Sequence, residues 1–174
     1  MTFLDRLSAK RQWTEEERLV LDQVTRVADE IIAPAAAGYD QSRDYPEDSM
    51  AALNELGMNA IFIPEIYGGA LMSYRLYLEC VSIISTACAS TGIIYATNFH
   101  GMKPLIDFGT EEQKLRLLPR IAEGGLGSLA ITEPSAGSDA TGMKTRFTPD
   151  GDDIIIDGSK TFISNGDRAE LILL

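Results

Sequence analysis

Histidine and cysteine are scarce in this sequence, and their scarcity excludes several kinds of chemistry. His100 is the only histidine, and the two cysteines are Cys80 and Cys88. Without a Cys-x-x-Cys pair or a second histidine, a zinc site is not expected. A Ser-His-Asp triad would have to use His100, and a lone histidine after an apolar helix is more often structural. The cysteines are expected to be buried and reduced, which favours a reducing compartment.

Long apolar runs are also missing, so no segment is predicted to span a bilayer. The most apolar region, Leu78 to Ala96, is interrupted by hydroxyl residues and predicts one or two buried helices. Met1 to Trp13 lacks the apolar stretch and cleavage site of a signal peptide. We interpret it as an amphipathic leader, with a transit peptide as the less favoured alternative.

Positive charge is in deficit, and the net charge is −11 at pH 7. An acidic surface repels phosphate backbones, so general nucleic-acid binding is not expected. It repels small anions as well, so an anionic ligand would need local donors such as helix N-termini or backbone amides. With 45% hydrophobic residues among 174, the composition predicts a globular protein with room for one domain and part of another.

The first part of the chain predicts helices, because capping residues precede apolar residues at helical spacing. Thr14 and Glu17 fit a capping box, the apolar stripe behind them reaches Ile31, and Pro34 is expected to end this helix. Further helices are predicted to begin at Pro46 (ending at Gly57), Ser73 (ending near Ala89), Thr91 (ending near Phe99) and Thr110 (ending at Gly124).

From about Gly127 the pattern changes to short strands separated by turn residues. Strands are predicted at 129–132, 144–148, 154–156 and 161–164, and from Glu170 onward. Asp157-Gly158 predicts a hairpin turn, so that 161–164 would pair with 154–156. The predicted fold class is α+β, with an N-terminal all-α domain at 1–125 and the first strands of an antiparallel β-domain at 126–174. Since the sequence stops inside an apolar strand, we expect an N-terminal portion of a longer protein.

Gly125 to Ala130 matches the letters G-x-G-x-x-A of a dinucleotide fingerprint. That fingerprint follows a strand and opens a helix. Here a predicted helix comes first and a predicted strand follows. A Rossmann site is therefore not favoured.

Two other segments could carry chemistry. Thr132 to Ala140 is a loop of small residues in which Gly137 permits a close approach and successive amides can hold an oxygen-rich anion. Lys160 to Gly166 places Phe162 and Ser164 two residues apart, so on a strand they would face one side and suit a planar heteroaromatic cofactor. Taken alone, each segment is better interpreted as an ordinary loop or hairpin.

Together the two segments resemble the signatures of the acyl-CoA dehydrogenase family. Thr132-Glu133-Pro134 with 136–139 is similar to the first signature, and Lys160 to Gly166 is similar to the second, at a similar separation. The helical region agrees, notably at Tyr67-Gly68-Gly69 and at 108–114, so the resemblance covers nearly the whole chain. It implies an acyl-CoA dehydrogenase-like fold whose C-terminal helical bundle is missing here, and usually a homotetramer.

The resemblance also implies an activity. The expected enzyme is an FAD-dependent dehydrogenase that converts an acyl-CoA thioester to a trans-2-enoyl-CoA, with hydride transfer to flavin N5. An electron-transfer flavoprotein is the implied partner, and the location would be cytoplasmic, or the mitochondrial matrix in a eukaryote. The family's catalytic glutamate lies in the C-terminal bundle, so no catalytic residue is assigned in this segment. Glu133 is expected to be structural.

By position, the first segment is implied to contact the cofactor along its length. Leu129 and Ile131 would offer backbone groups to the flavin, and Thr132 would hydrogen-bond the pyrimidine side of the ring. Gly137 and Ser138 would lie near the phosphates of FAD. Ser138 would also reach the CoA part of the substrate.

The second segment is implied to pack on the flavin ring. Phe162, Ile163 and Ser164 would contact it, with the Ser164 hydroxyl near N5, and helical residues from Ala87 to His100 would line the acyl pocket. The family often has Trp, Thr and an aromatic residue where this sequence has Phe162, Ser164 and Leu129. A stacking face and a hydroxyl are retained, so the differences bear on substrate length rather than on flavin binding.

Two alternatives share the same residues. The chain could be a non-catalytic truncated module that binds flavin or CoA. It could also belong to a flavin oxidase or monooxygenase of the same fold, since a fold does not determine the chemistry.

Overall fold

The computed structural model describes residues 12–174, so all but the last two residues of the amphipathic segment 1–13 lie outside the described residues. The chain divides into two compact units. The first comprises the residues up to Met58 and Met72–Gly92, and the second comprises Asn59–Leu71 and Ile93–Leu174. Helices precede short strands, as the sequence predicts. Among residues 12–174, none of the helices combines the length and the apolar character that a membrane span requires.

The first unit is helical, and its helices begin where capping residues satisfy the free N–H groups of the first turn. Thr14 and Glu17 form the predicted capping box, and the Ser73 hydroxyl accepts a hydrogen bond from the Leu76 amide. Cys80 and Cys88 are free and buried, as expected, and burial raises the pKa of the Cys80 thiol to about 12. The helices are α1 (Glu15–Val27), α2 (Ala33–Ser42), α3 (Glu47–Glu55) and α4 (Tyr74–Ala87).

The prediction that Pro34 ends the first helix is wrong. A π-helical turn, Ala28–Ile32, joins α1 to α2, and the amide of Ala33 donates to the carbonyl of Ala28, five residues back. A proline lacks an N–H and clashes with the carbonyl four residues before it in a regular α-helix. The wider turn shifts the bonding register just before Pro34, which then lies in the first turn of α2. The helical path continues to Ser42.

Two longer helices contribute to the second unit. α5 (Ala89–Phe108) extends well beyond the predicted end near Phe99, because Met102 and Leu105 continue its buried face across Pro104. α6 (Glu111–Ala122) begins with the predicted Thr110–Gln113 capping box. Short 3₁₀ turns lie at Met58–Ala60 and Glu65–Tyr67.

Four short strands follow, namely β1 (Gly127–Leu129), β2 (Arg146–Asp150), β3 (Asp153–Asp157) and β4 (Leu171–Leu173). β2 and β3 form an antiparallel hairpin with Arg146 opposite Asp157, which agrees with the predicted antiparallel region. β1 pairs with β4 in parallel instead, with Gly127 opposite Leu171. The long connection between these two strands permits the parallel arrangement.

The prediction of a strand at 161–164 is also wrong. The hairpin turn lies at 151–152 rather than at Asp157-Gly158, so β3 pairs with β2. Residues 161–164 form a loop, in which Phe162 has a φ of 56°. A left-handed residue of this kind interrupts a β-ladder. Phe162 and Ser164 therefore do not share one face of a strand.

Candidate functional site

Glu133 is the second residue of the first signature segment and is almost fully buried. Its carboxylate accepts hydrogen bonds from the backbone amides of Lys144 at 2.7 Å and Thr145 at 2.9 Å. The Lys160 ammonium group donates to the same carboxylate at 3.0 Å. Glu133 also exchanges two backbone hydrogen bonds with Ala136, which closes a tight turn. A carboxylate held by three donors ties the surrounding loops together and is a poor base for proton abstraction.

The surroundings of Glu133 keep it ionised. Hydrogen bonding from Thr145 and from the Lys144 amide lowers the pKa of Glu133 to about 2, and Lys160 adds to the decrease, while burial acts in the opposite direction. The charge is therefore present throughout the neutral range. This agrees with the structural role expected for Glu133.

Lys160 connects the two signature segments. Its ammonium nitrogen lies 3.0 Å from the carbonyl oxygen of Ile131 and 3.0 Å from the Glu133 carboxylate, and its side chain is 14% exposed. Directly beside it, the Thr161 amide donates to the Thr132 carbonyl at 2.9 Å. These bonds hold 160–161 against 131–133, which brings the start of both predicted cofactor-binding segments together.

The loop after Lys160 is anchored at its other end as well. The Ser128 hydroxyl donates to the carbonyl of Ser164 at 2.7 Å. The Asn165 side-chain amide donates to the carbonyls of Gly127 and Ile94, each at 3.3 Å. Asn165 is buried and has a φ of 64°. Both ends of the loop are thus fixed by buried or half-buried polar groups.

Between these anchors, Phe162 is strained and exposed. Its φ of 56° is unfavourable for a side chain with a Cβ, and 92% of the residue is accessible to solvent. An aromatic ring held outward at a left-handed position gains nothing from the core. Backbone strain of this kind is concentrated at functional sites, where the surrounding structure maintains it.

The small-residue loop of the first segment is open. Gly137 and Ser138 are exposed, and a Cβ added at Gly137 would meet nothing within 4 Å. Within residues 12–174, the backbone amides of Gly137 and Ser138 donate to no other protein group. Two amides of an exposed loop that donate to no protein acceptor can receive an anion.

All the residues predicted to bind the cofactor lie in the second unit. The structure brings the two segments together through Lys160 and Thr161, for which the sequence suggested no role although both belong to the second signature. Ser128 and Asn165 are further anchors that sequence reasoning missed. Their hydrogen bonds join residues far apart in the chain, and only Asn165, within an Asn-Gly pair, carried a signal for an unusual backbone. The predicted residues are Leu129, Ile131, Thr132, Gly137, Ser138, Phe162, Ile163 and Ser164.

Two family models match the chain. The one described as "Acyl-CoA dehydrogenase, N-terminal domain" matches residues 14–125, and the one described as "Acyl-CoA dehydrogenase, middle domain" matches residues 128–174. A probable acyl-CoA dehydrogenase, YngJ of Bacillus subtilis, is 39% identical over 163 residues. That alignment covers 92% of this chain and 43% of the relative.

Solved structures agree with the sequence matches. Butyryl-CoA dehydrogenase from Megasphaera elsdenii superimposes with a TM-score of 0.87 at 28% identity, covering 94% of this chain and 44% of that one. An acyl-CoA dehydrogenase of Bacillus anthracis, solved in complex with FAD, gives a TM-score of 0.85 at 26% identity, covering 94% of this chain and 29% of that one. The chain thus spans less than half the length of these relatives.

Proposed function

Because this chain belongs to the acyl-CoA dehydrogenase family, we propose that the protein uses FAD to oxidise an acyl-CoA thioester to a trans-2-enoyl-CoA. The observation that carries this proposal furthest is Phe162, a 92% exposed aromatic ring on a strained loop that is anchored at both ends. A flat ring presented in this way suits a planar cofactor, on which it can stack.

The residues present fit FAD in three further respects. The amides of Gly137 and Ser138, which lie in an exposed loop, would offer donors to its phosphates. Leu129 is the last residue of β1, and Ile131 and Thr132 lie just after this strand. These three residues would contact the flavin through backbone and hydroxyl groups. Ile163 and Ser164 would lie against the ring beside Phe162. When bound, FAD supplies the acceptor for the hydride that leaves the substrate's β-carbon.

The chain's own residues would bind and orient the cofactor, and none of those described would remove the α-proton. Glu133 is the buried carboxylate of the signature loop, and it is already held by three donors, from Lys144, Thr145 and Lys160. The catalytic base is proposed to be a glutamate outside these residues. Ser138 is proposed to reach the CoA moiety, and helical residues from Ala87 to His100 are proposed to line the acyl pocket.

The wider assignments follow from the family. We assign 1–125 to the helical domain and 126–174 to the start of the flavin-binding β-domain. An electron-transfer flavoprotein would accept the electrons, the assembly would be a homotetramer, and the pathway would be fatty-acid or amino-acid catabolism in the cytoplasm, or the mitochondrial matrix of a eukaryote. The acidic surface fits a protein that meets CoA through local donors rather than through overall charge.

The test is the reductive half-reaction. The protein at its natural full length is purified, its visible flavin spectrum is recorded, and a panel of acyl-CoA esters is added without oxygen. Bleaching of the flavin band by one ester, with the enoyl-CoA detected by mass spectrometry, is the expected result. A flavin band that no ester bleaches would contradict the dehydrogenase activity. Rapid reoxidation of the reduced flavin by oxygen would favour an oxidase or monooxygenase.

A further inference from the structure

Lys160 and Glu133 form a buried ion pair whose place between the two signature segments suggests a role beyond stabilising the fold. The Lys160 side chain is 14% exposed and that of Glu133 is 3% exposed. A buried ion pair is at best a weak source of stability, because both charges lose their hydration. The pair instead fixes the positions of chain segments, because its hydrogen bonds end on residues at or beside the proposed flavin contacts.

The bonds of Lys160 reach both segments. Its ammonium group donates to the Ile131 carbonyl at 3.0 Å. Phe162 lies two residues after Lys160 in the second segment. Glu133 extends the connection, because its carboxylate also holds the amides of Lys144 and Thr145 at the foot of the β2–β3 hairpin. Three stretches of chain thus meet at one carboxylate and one ammonium group.

The strained loop needs such an anchor. A residue with a φ of 56° relaxes unless its neighbours prevent it, and here the Thr161 amide is tied to the Thr132 carbonyl directly beside Lys160. Loss of the ammonium group would free the Ile131 carbonyl and remove one of the three donors to the Glu133 carboxylate, which would keep the amides of Lys144 and Thr145. The loop would then lose the contact that orients it.

We propose that Lys160, acting through Glu133 and the Ile131 carbonyl, is a positioning residue that holds the two flavin-contact segments in register and keeps Phe162 in its outward, left-handed conformation. This inference rests on the proposed FAD-binding function. Lys160 touches no reacting atom, and its effect on the cofactor passes through 131–133 and 161–164.

The experiment measures two quantities on the full-length protein, with and without FAD. The contacts of Lys160 with Glu133 and Ile131 are called the clamp below. Hydrogen exchange at the Thr161 amide, in the flavin-free protein, reports whether the clamp orders the loop. Titration with FAD reports cofactor affinity, and the shape of the visible flavin band reports the ring's surroundings. Lys160→Met is compared with Lys160→Arg, which keeps the charge and the donors. Arg146→Met is the matched control, because it removes an exposed positive charge from the same unit.

For Lys160→Met we expect faster exchange at Thr161, an altered flavin band and FAD binding weakened by about ten- to a hundredfold. Lys160→Arg should recover most of the affinity, and Arg146→Met should match the wild type in every measurement. Should Lys160→Met fail to fold, Glu133→Gln applies the same test from the carboxylate end. The double variant should bind FAD no more weakly than the weaker single variant, since both act through one contact.

Each other outcome overturns a distinct statement. Unchanged exchange at Thr161 in Lys160→Met would show that the clamp does not order the loop, whatever the flavin result. Faster exchange with unchanged FAD affinity would leave the clamp a purely structural feature and refute the positioning role. A folded wild-type protein that binds no FAD would refute the proposed function and the positioning role with it.

Discussion

Phe162 combines high exposure with an unfavourable backbone conformation, and the two features together allow binding to be separated from folding. In most sites, removal of an aromatic residue lowers both stability and affinity. Here the ring is outside the core. Glycine would adopt this backbone conformation with less strain, because it has no Cβ to clash at positive φ.

Phe162→Gly should therefore weaken FAD binding without destabilising the fold. We expect affinity to fall by about tenfold through the loss of stacking. The free energy of unfolding of the flavin-free protein should stay within about 1 kcal/mol of the wild type, because relief of strain offsets the greater freedom of the unfolded chain. Titration with FAD and urea unfolding measure the two quantities.

Phe147→Ala is the control, since it removes an exposed ring from β2, outside the proposed site. It should leave FAD affinity unchanged. Equal affinities of wild type and Phe162→Gly would show that the ring does not stack on the cofactor.

Glu133 makes a pH-dependent contribution to stability. Its pKa is about 2 in the folded protein, against an ordinary value of 4.5, so the unfolded chain takes up its proton first as the pH falls. The stabilisation is complete above about pH 4.5 and is lost as the pH decreases toward 2.

The difference between wild type and Glu133→Gln isolates this contribution. Thermal unfolding of both proteins is followed from neutral pH down to the acid limit of solubility. The melting temperature of the wild type should fall more steeply than that of Glu133→Gln below about pH 4.5. Parallel curves would mean that Glu133 has an ordinary pKa in the folded state. Glu17 and Glu111, whose pKa values are also lowered, contribute equally to both curves.

At the scale of elements, close backbone contact places β1 beside α5. A Cβ added at Gly101 in α5 would lie 2.3 Å from the Ser128 nitrogen and 2.7 Å from the Gly127 carbonyl carbon. Backbone atoms cannot move aside as a flexible side chain can. The Asn98 side chain of the same helix also accepts a hydrogen bond from the Gly127 amide. Helix and strand therefore meet at a glycine because no larger residue fits.

Gly101→Ala should destabilise the protein by about 1–3 kcal/mol, as overpacking does in cores. Gly38→Ala is the matched control, since it is also a helical glycine, in α2, and its added Cβ would meet nothing within 4 Å. That variant should gain about 0.5–1 kcal/mol from the better helix propensity of alanine. Urea unfolding of the three proteins checks both values. Destabilisation of equal size in both variants would attribute the effect to something other than the contact with β1.

The elements also show which parts of the fold can be predicted from sequence. Helix starts at Thr14, Ser73 and Thr110 were predicted correctly, because an N-cap acts on amides two or three residues away. The sequence does not predict that the chain stays helical past Pro34, since a π turn leaves no pattern in the residues that form it. The sequence predicts a strand at 161–164 from its residues and from the Asp157-Gly158 turn signal, whereas long-range bonds to Thr132, Ser128 and Gly127 hold this segment as a loop.

At the scale of the whole molecule, two short signatures predict the family, and capping residues with apolar periodicity predict the general order of helices and strands. They do not predict the internal arrangement of the site. Glu133 and Lys160 are 27 positions apart in the sequence. Only the folded second unit shows that they form a buried ion pair. The sequence predicts which residues would contact the cofactor. The anchors of those segments, such as Lys160, Ser128 and Asn165, are seen only in the folded structure.

The central claim is that residues 129–138 and 160–166 of the second unit bind FAD. Hydrogen exchange of the full-length protein, with saturating FAD and without it, tests this most directly, and ADP serves as a control that carries phosphates but no flavin ring. We expect FAD to slow exchange in both segments and to leave α1 and α4 unchanged, while ADP should affect at most the loop around Gly137. Protection by FAD confined to other parts of the chain, or equal protection of 160–166 by ADP, would contradict the claim.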